Sequence, residues 1–288
     1  MKRDEKKTAT GTPALVIKNS KFKKLIKSLE DMESAILAYS GGVDSAFLLK
    51  ALQVSGIRTL AITADSEILP RRELLTAKAL ASELGMEHRI IEIDELSLEE
   101  FVKNTRKRCF ICKEERFRKL TDIAASEGYR LVLDGSNRDD LSDYRPGIKA
   151  AKKYRVRSPL MEAGFSKKEI RGLSRKLGLP TWDKPSSSCL STRIPYGQRI
   201  TRGVLKRIEE AEDFLRSLGF HEVRVRDHGD VARIELSRKQ ISLVLNPGKK
   251  QRISSQLKSL GYRFVSLDLD GYRMGSMNNT AEEASLFS

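Results

Sequence analysis

The sequence predicts an α/β protein: a doubly wound parallel sheet with a smaller C-terminal α+β domain. Three observations predict it. Short apolar runs at residues 35–39, 59–64, 89–93 and 130–133 alternate with helical patterns, the signature of parallel βαβ units. After residue 200 the order changes to helix, hairpin, helix and strand. With 288 residues and 39% hydrophobic side chains, the chain can fill one large or two smaller cores.

Residues 1–20 read as a flexible basic arm. Phe22, Leu25, Ile26 and Leu29 recur at helical spacing and place a helix before the first strand. That strand, Ala35 to Tyr39, runs into Ser40-Gly41-Gly42-Val43-Asp44-Ser45 and then an apolar helix. The second strand, Thr59 to Ala64, leads to a helix opened by Pro70 and stopped by Gly85. A third strand, Arg89 to Ile93, and a short helix precede Cys109-Phe110-Ile111-Cys112 and a charged helix. The fourth strand, Arg130 to Leu133, runs straight into Asp134-Gly135-Ser136-Asn137. Ser166 is placed to cap a helix ended by Gly178, which closes a first domain at 21–180. Residues 181–200, Pro- and Ser-rich around Cys189, read as a functional loop. In the second domain, 201–276, Thr201 caps a helix with Leu205, Ile208, Ala211 and Leu215 on one face. A hairpin around Asp227-His228-Gly229-Asp230, a helix and a strand at Phe264 follow. Residues 277–288 read as a disordered tail.

The formal net charge is +15, and residues 1–27 hold nine Lys/Arg against two acids. Such a balance points to anionic partners: nucleotides, a polycarboxylate or RNA. No apolar run approaches the roughly eighteen residues of a membrane span, so no membrane partner is expected. Three cysteines are an odd number and argue against a disulfide framework, which fits a cytoplasmic protein.

The stretch Ser40–Ser45 lies between a strand and a helix start. Gly41 and Gly42 permit a sharp turn and close approach to a ligand, and the free N–H groups of the helix face the same spot. No Gly-Lys-Ser/Thr follows, so the Walker pattern is absent. The loop resembles the pyrophosphate loop of the N-type ATP pyrophosphatases, which implies an adenine nucleotide alpha-hydrolase (PP-loop) fold and cleavage of ATP between its α and β phosphates. Thr63-Ala64-Asp65-Ser66 and Asp134-Gly135-Ser136-Asn137 also follow strands, so the three segments can share one crevice. Asp139, Asp140 and Asp143 near Asn137 are candidates to hold Mg²⁺ with the phosphates.

Cys109 and Cys112 form a CxxC pair, and Cys189 follows 77 residues later. Spacing alone allows a redox dithiol, part of a metal site or unliganded thiols. Of the histidines, His88, His221 and His228, none shows metal-site spacing, so a closed zinc site lacks its fourth ligand. Three thiolates on a 4Fe-4S cluster would leave one iron open to a soft sulfur ligand. The basic residues around the pair, from Arg106 to Lys119, attract anions. Arg193 lies close to Cys189. Arg224 and Arg226 alternate along one strand and share a face fit to clamp phosphate or carboxylate.

Taken together these segments resemble the LarE sulfur transferases of nickel-pincer nucleotide cofactor assembly. The resemblance rests on Ser40–Ser45, Arg108 to Lys113, Asp134 to Asp140 with Tyr144-Arg145-Pro146-Gly147, Val156 to Leu160, Lys184-Pro185-Ser186 through Gly197, and Arg224-Val225-Arg226. It implies an ATP-dependent, AMP- and pyrophosphate-forming enzyme acting on pyridinium-3,5-biscarboxylic acid mononucleotide. Ser40, Gly41, Gly42, Val43, Asp44, Ser45, Ala64, Gly135, Asn137, Arg224 and Arg226 would bind nucleotide or substrate, and Cys189, Asp44 and Arg193 would be catalytic. In one branch of the family a single cysteine, here Cys189, gives up its own sulfur. In the other, three cysteines bind a 4Fe-4S cluster that passes on sulfide; Cys109, Cys112 and Cys189 place this chain there. ATP, Mg²⁺ and the cluster are therefore the expected cofactors. A small anionic nucleotide, sulfide or another sulfur donor, neighbouring cofactor-assembly enzymes and a second copy of the chain are the expected partners.

Two other readings share some of these features. A tRNA-thiolating enzyme would use the same ATP loop and three cysteines, but no added RNA-binding module or zinc-ribbon cysteine pair is found. A non-catalytic nucleotide- or RNA-binding module would explain the charge and leave the cysteines idle.

Overall fold

The computed structural model describes residues 18–142, 146–185, 188–244 and 246–273. Most of the basic arm, the C-terminal tail, Asp143, Tyr144, Arg145, Ser186 and Ser187 lie outside the described residues.

Four parallel strands build the first sheet: β1 (Ser34–Ala38), β2 (Arg58–Asp65), β3 (His88–Glu92) and β4 (Leu131–Leu133), in the order β3-β2-β1-β4. Successive side chains of a strand point to opposite faces, and β1 shows the result. Ala35 and Leu37 enter one core with α1 (Ser20–Glu30), α2 (Val43–Ser55) and α3 (Arg71–Glu83). Ile36 enters the other, beneath the helix over Arg108–Ser126. Strands covered on both faces must be apolar throughout, which is why they read as continuous runs.

The domain boundaries differ from those expected. Residues 18–95 and 107–185 form one unit, while 96–106 group with 188 onward. Chemistry explains the exchange. After α4 (Glu99–Val102), Asn104 is fully buried with φ +54, and its side-chain amide donates to the carbonyls of Pro195 (2.7 Å) and Gln198 (2.9 Å). Ile200 N–H donates to the Val102 carbonyl at 2.9 Å.

The next helices are α5 (Arg108–Ser126), α6 (Pro146–Lys153), α7 (Pro159–Glu162) and α8 (Lys167–Lys176). Ser166 caps α8 in a full capping box with Glu169. In the second unit α9 (Arg202–Ser217), capped by Thr201, packs on β5 (Val223–His228), β6 (Val231–Leu236) and β7 (Phe264–Leu267), joined by α10 (Ile241–Val244) and α11 (Pro247–Ser259). The hairpin β5–β6 is antiparallel, and β7 lies parallel to β6.

Candidate active site

Because β2 and β3 lie on one side of β1 and β4 on the other, the order in which strands are added to the sheet reverses between β1 and β4. Ligands of such sheets bind outside the carboxyl ends of the strands at that point. Ser40–Ser45 follows β1 there and Asp134–Asn137 follows β4. The two loops touch: a Cβ on Gly135 would stand 3.0 Å from the Ser45 nitrogen. Gly41 has φ +66, and a Cβ on it would come within 2.8 Å of Ala77 Cα on α3. Gly42 is the N-cap of α2 and supplies no side-chain cap, so the first N–H groups of that helix are left for a ligand. Ser40 and Ser45 hydroxyls lie 3.0 Å apart, and Ser45 Oγ donates to the Gly42 carbonyl at 3.2 Å. These bonds set the shape of the turn.

Asp44 sits in the first turn of α2. Its Oδ2 accepts from Lys167 Nζ at 2.5 Å, while Oδ1 is buried with no hydrogen-bond partner. Burial raises its pKa; the Lys167 ammonium opposes this and Asp140 reinforces it. An orphaned carboxylate oxygen near a second carboxylate is chemistry that suits a hard divalent cation, so Asp44 and Asp140 fit Mg²⁺.

The loops open on a cavity of about 260 Å³. Ile62, Ala64, Ile91, Ile93, Phe117 and Leu120 give it an apolar wall suited to a base. Lys113 and Arg116 of α5 line it as cations. Asn137 is turned inward: its Oδ1 accepts from the Asp139 N–H at 2.9 Å and its own N–H donates to Asp140. Asp134 accepts from Ser136 and Ser158 hydroxyls at 2.7 and 2.6 Å. Asn137 and Asp134 therefore shape the loop.

The cysteines fall in both units. Cys109 and Cys112 stand at the start of α5, three residues apart and so on one face. Cys112 Sγ donates to the buried Glu95 at 3.4 Å. Cys189 belongs to the second unit, its thiol 3.0 Å from Ser191 Oγ. None of the three is in a disulfide, and thiols are soft donors that suit an iron–sulfur cluster by chemistry. Among the described residues, no group of three or more His, Cys, Asp or Glu side chains is gathered as a metal site.

Arg193, expected to be catalytic, is fully buried. Its guanidinium donates to both Glu212 oxygens at 2.8 and 3.1 Å, and Nη1 reaches the Ser188 and Cys189 carbonyls at 2.8 and 2.9 Å. Burial opposes its charge, but Glu212 outweighs burial and its pKa is raised. Arg193 thus holds the Cys189 turn in place, a positioning role. Arg224 and Arg226 share a face of β5, as period two requires, and both are buried. Arg226 pairs with Glu235 at 2.7 Å. Burial, then the neighbouring Arg193, lowers the pKa of Arg224, while Glu212 opposes the shift.

Three contributors were not visible in the sequence. Lys167 pairs with Asp44 across 123 positions. Lys184 donates to the Gly41 carbonyl at 3.2 Å and pairs with Glu73 at 2.8 Å, bracing the glycine turn. Glu95 is buried and pairs with Arg116 at 2.9 Å. The loop has no lysine of its own, and that lack is the signal that cations must come from elsewhere in the chain.

The chain is 42% identical over 266 residues to the pyridinium-3,5-bisthiocarboxylic acid mononucleotide synthase of Lactiplantibacillus plantarum, covering 91% of this chain and 95% of that one. The chain belongs to that synthase family, the LarE family. An uncharacterized protein of Synechocystis sp. is 43% identical over 260 residues, 90% of this chain and 97% of its own. The likeness thus runs through both units. The tRNA-specific 2-thiouridylase MnmA of Rickettsia conorii is 27% identical over 206 residues, 58% of this chain and 55% of that one. No family model matches the chain.

Proposed function

We propose that this LarE-family protein is an ATP-dependent sulfur transferase that converts a carboxylate of pyridinium-3,5-biscarboxylic acid mononucleotide to a thiocarboxylate. The observation that carries the reading is the end-to-end likeness to the named synthase. The crevice supports it with groups for each step. Helix-start N–H groups and Ser40 and Ser45 hold the β and γ phosphates, and the wall of Ile62, Ala64 and Ile91 takes the base. Magnesium held by Asp44 and Asp140 would offset phosphate charge. An oxygen of the substrate carboxylate attacks the α phosphorus, the bond to pyrophosphate breaks, and an acyl-adenylate forms. Sulfide then attacks the acyl carbon and AMP departs with the oxygen that came from the carboxylate. Adenylation supplies the leaving group that a bare carboxylate lacks.

Cys109, Cys112 and Cys189 would hold a 4Fe-4S cluster, which when bound supplies an open iron for sulfur. Arg193 keeps the Cys189 turn fixed through its carbonyls. Arg224, whose charge is disfavoured where it lies, would be stabilised by an incoming phosphate or carboxylate. The sulfur donor and any assembly partner come from outside the chain. The test is incubation with ATP, Mg²⁺, sulfide and the biscarboxylic mononucleotide, followed by mass spectrometry. AMP, pyrophosphate and thiocarboxylate are expected; thionucleosides formed in added tRNA, with no thiocarboxylate, would overturn the reading. Dehydroalanine at position 189 after one turnover would place the chain in the sacrificial branch.

A further inference from the structure

A buried carboxylate lies where the cysteine pair meets the nucleotide crevice. Glu95 follows β3 and has a side chain 1% exposed. Its Oε1 accepts from Arg116 Nε at 3.1 Å, from Arg116 Nη2 at 2.9 Å and from the Cys112 thiol at 3.4 Å. Its Oε2 bonds the Ser66 hydroxyl just beyond β2, at the carboxyl end of the sheet. A carboxylate this deeply buried persists only when paired and fully hydrogen-bonded. Here the pairing fixes one side chain, Arg116, which lines the cavity.

Lys113, one turn before Arg116 on α5, is fixed from another direction. A Cβ on Gly147 would meet its side chain at 2.3 Å, so the glycine leaves room for Lys113. Its ammonium stands 5.9 Å from the Phe117 ring. Two cations one helical turn apart therefore stand beside the apolar wall, in the same cavity as Ser40, Gly42 and Ser45.

We propose that Arg116 is an oxyanion-binding residue of this crevice and that Glu95 is its positioning residue, holding the guanidinium in place. The inference rests on the adenylating function above. The oxyanion is the α-phosphoryl group of the nucleotide or the carboxylate that attacks it; both are anions that a fixed guanidinium recognises. Neither residue belongs to the loop motifs, and Arg116 lines the cavity while Glu95 does not. It acts through Arg116, which a bent or displaced guanidinium would betray as weaker binding.

The test uses the full-length protein and the variants Glu95→Gln, Arg116→Gln and the double variant. AMP and ATP binding are measured by calorimetry without acid substrate, and KM for the biscarboxylic mononucleotide is measured separately. A charge-assisted hydrogen bond is worth about tenfold or more in affinity, so Arg116→Gln should weaken one of the two arms by about that factor. A shift in nucleotide affinity assigns the α phosphate, and a shift in substrate KM assigns the carboxylate. Glu95→Gln should reproduce the same shift in the same arm, and the double variant should be no worse than Arg116→Gln alone. Far-UV circular dichroism and melting identify any variant that fails to fold; Arg116→Lys, which keeps a cation beside Glu95, then replaces Arg116→Gln, and Glu95→Asp replaces Glu95→Gln. Losses that multiply in the double variant, or no shift in either arm while wild type binds ATP, would overturn the proposal. Wild type that binds no ATP would instead overturn the functional reading on which it rests.

Discussion

Gly41→Ala separates two reasons for a glycine. At Gly41 the backbone has φ +66, and an added Cβ meets Ala77 Cα and Cβ at 2.8 Å. Gly56, the C-cap of α2, has φ +71 and nothing within 4 Å of its Cβ position. Both substitutions place alanine in the left-handed region, at about 1–2 kcal/mol each. Only Gly41→Ala also forces a methyl against a helix backbone that cannot yield, adding about 1–3 kcal/mol. The variants should therefore differ in urea denaturation by about 1–3 kcal/mol. They should also differ in kind. Ala77 lies on α3, and relief of the clash must come from the turn, so Gly41→Ala should lose ATP binding while Gly56→Ala keeps it. Equal stability losses and equal ATP affinity in the two variants would refute the claim that close approach to α3 shapes the phosphate turn.

Asp44 has a raised pKa because it is buried, so its ionised form costs the fold stability. That cost is absent below the ordinary carboxylate pKa and grows as pH rises through the raised value. Asp44→Asn should therefore melt higher than wild type at neutral pH, lose the advantage as the pH falls, and bind Mg²⁺-ATP poorly; an unchanged melting temperature at neutral pH would contradict this. Arg193→Met removes one partner of a buried ion pair and should cost about 3–5 kcal/mol in urea denaturation, with a loss below about 1 kcal/mol counting against the positioning role. Anaerobic reconstitution of wild type should yield iron and acid-labile sulfide, and Cys109→Ala, Cys112→Ala and Cys189→Ala should each lower both; full cluster content in Cys189→Ala would remove that thiol from the ligand set.

Much of the fold was legible because its signals are local. Apolar runs marked β1 to β4, and Gly41-Gly42 marked the tight turn between β1 and α2. The fourfold alternation fixed a parallel sheet, and the sheet then placed the loops at one edge. What stayed hidden depends on contacts between distant residues. Lys167 and Lys184 look like ordinary surface lysines until the chain brings them to Asp44 and Gly41. Glu95 is a lone acid after a strand, and nothing in its neighbours announces burial. Arg193 was expected to be catalytic from the resemblance and its place near Cys189; the sequence does not show that Glu212, nineteen residues on, pairs with it. The insertion of 96–106 into the second unit turns on the buried amide of Asn104, a single polar residue in an unremarkable stretch. Helix α6 was missed although Pro146 at its first position is a start signal, since the adjoining Gly147 reads more readily as a turn.

The measurement that bears most directly on carboxylate activation is the fate of a labelled oxygen. Biscarboxylic mononucleotide carrying ¹⁸O in its carboxylates is turned over with ATP and sulfide, and the AMP is analysed by mass spectrometry. Attack on the α phosphorus predicts one labelled oxygen in AMP for each thiocarboxylate formed. Label in inorganic phosphate with ADP as the product, or unlabelled AMP, would contradict it.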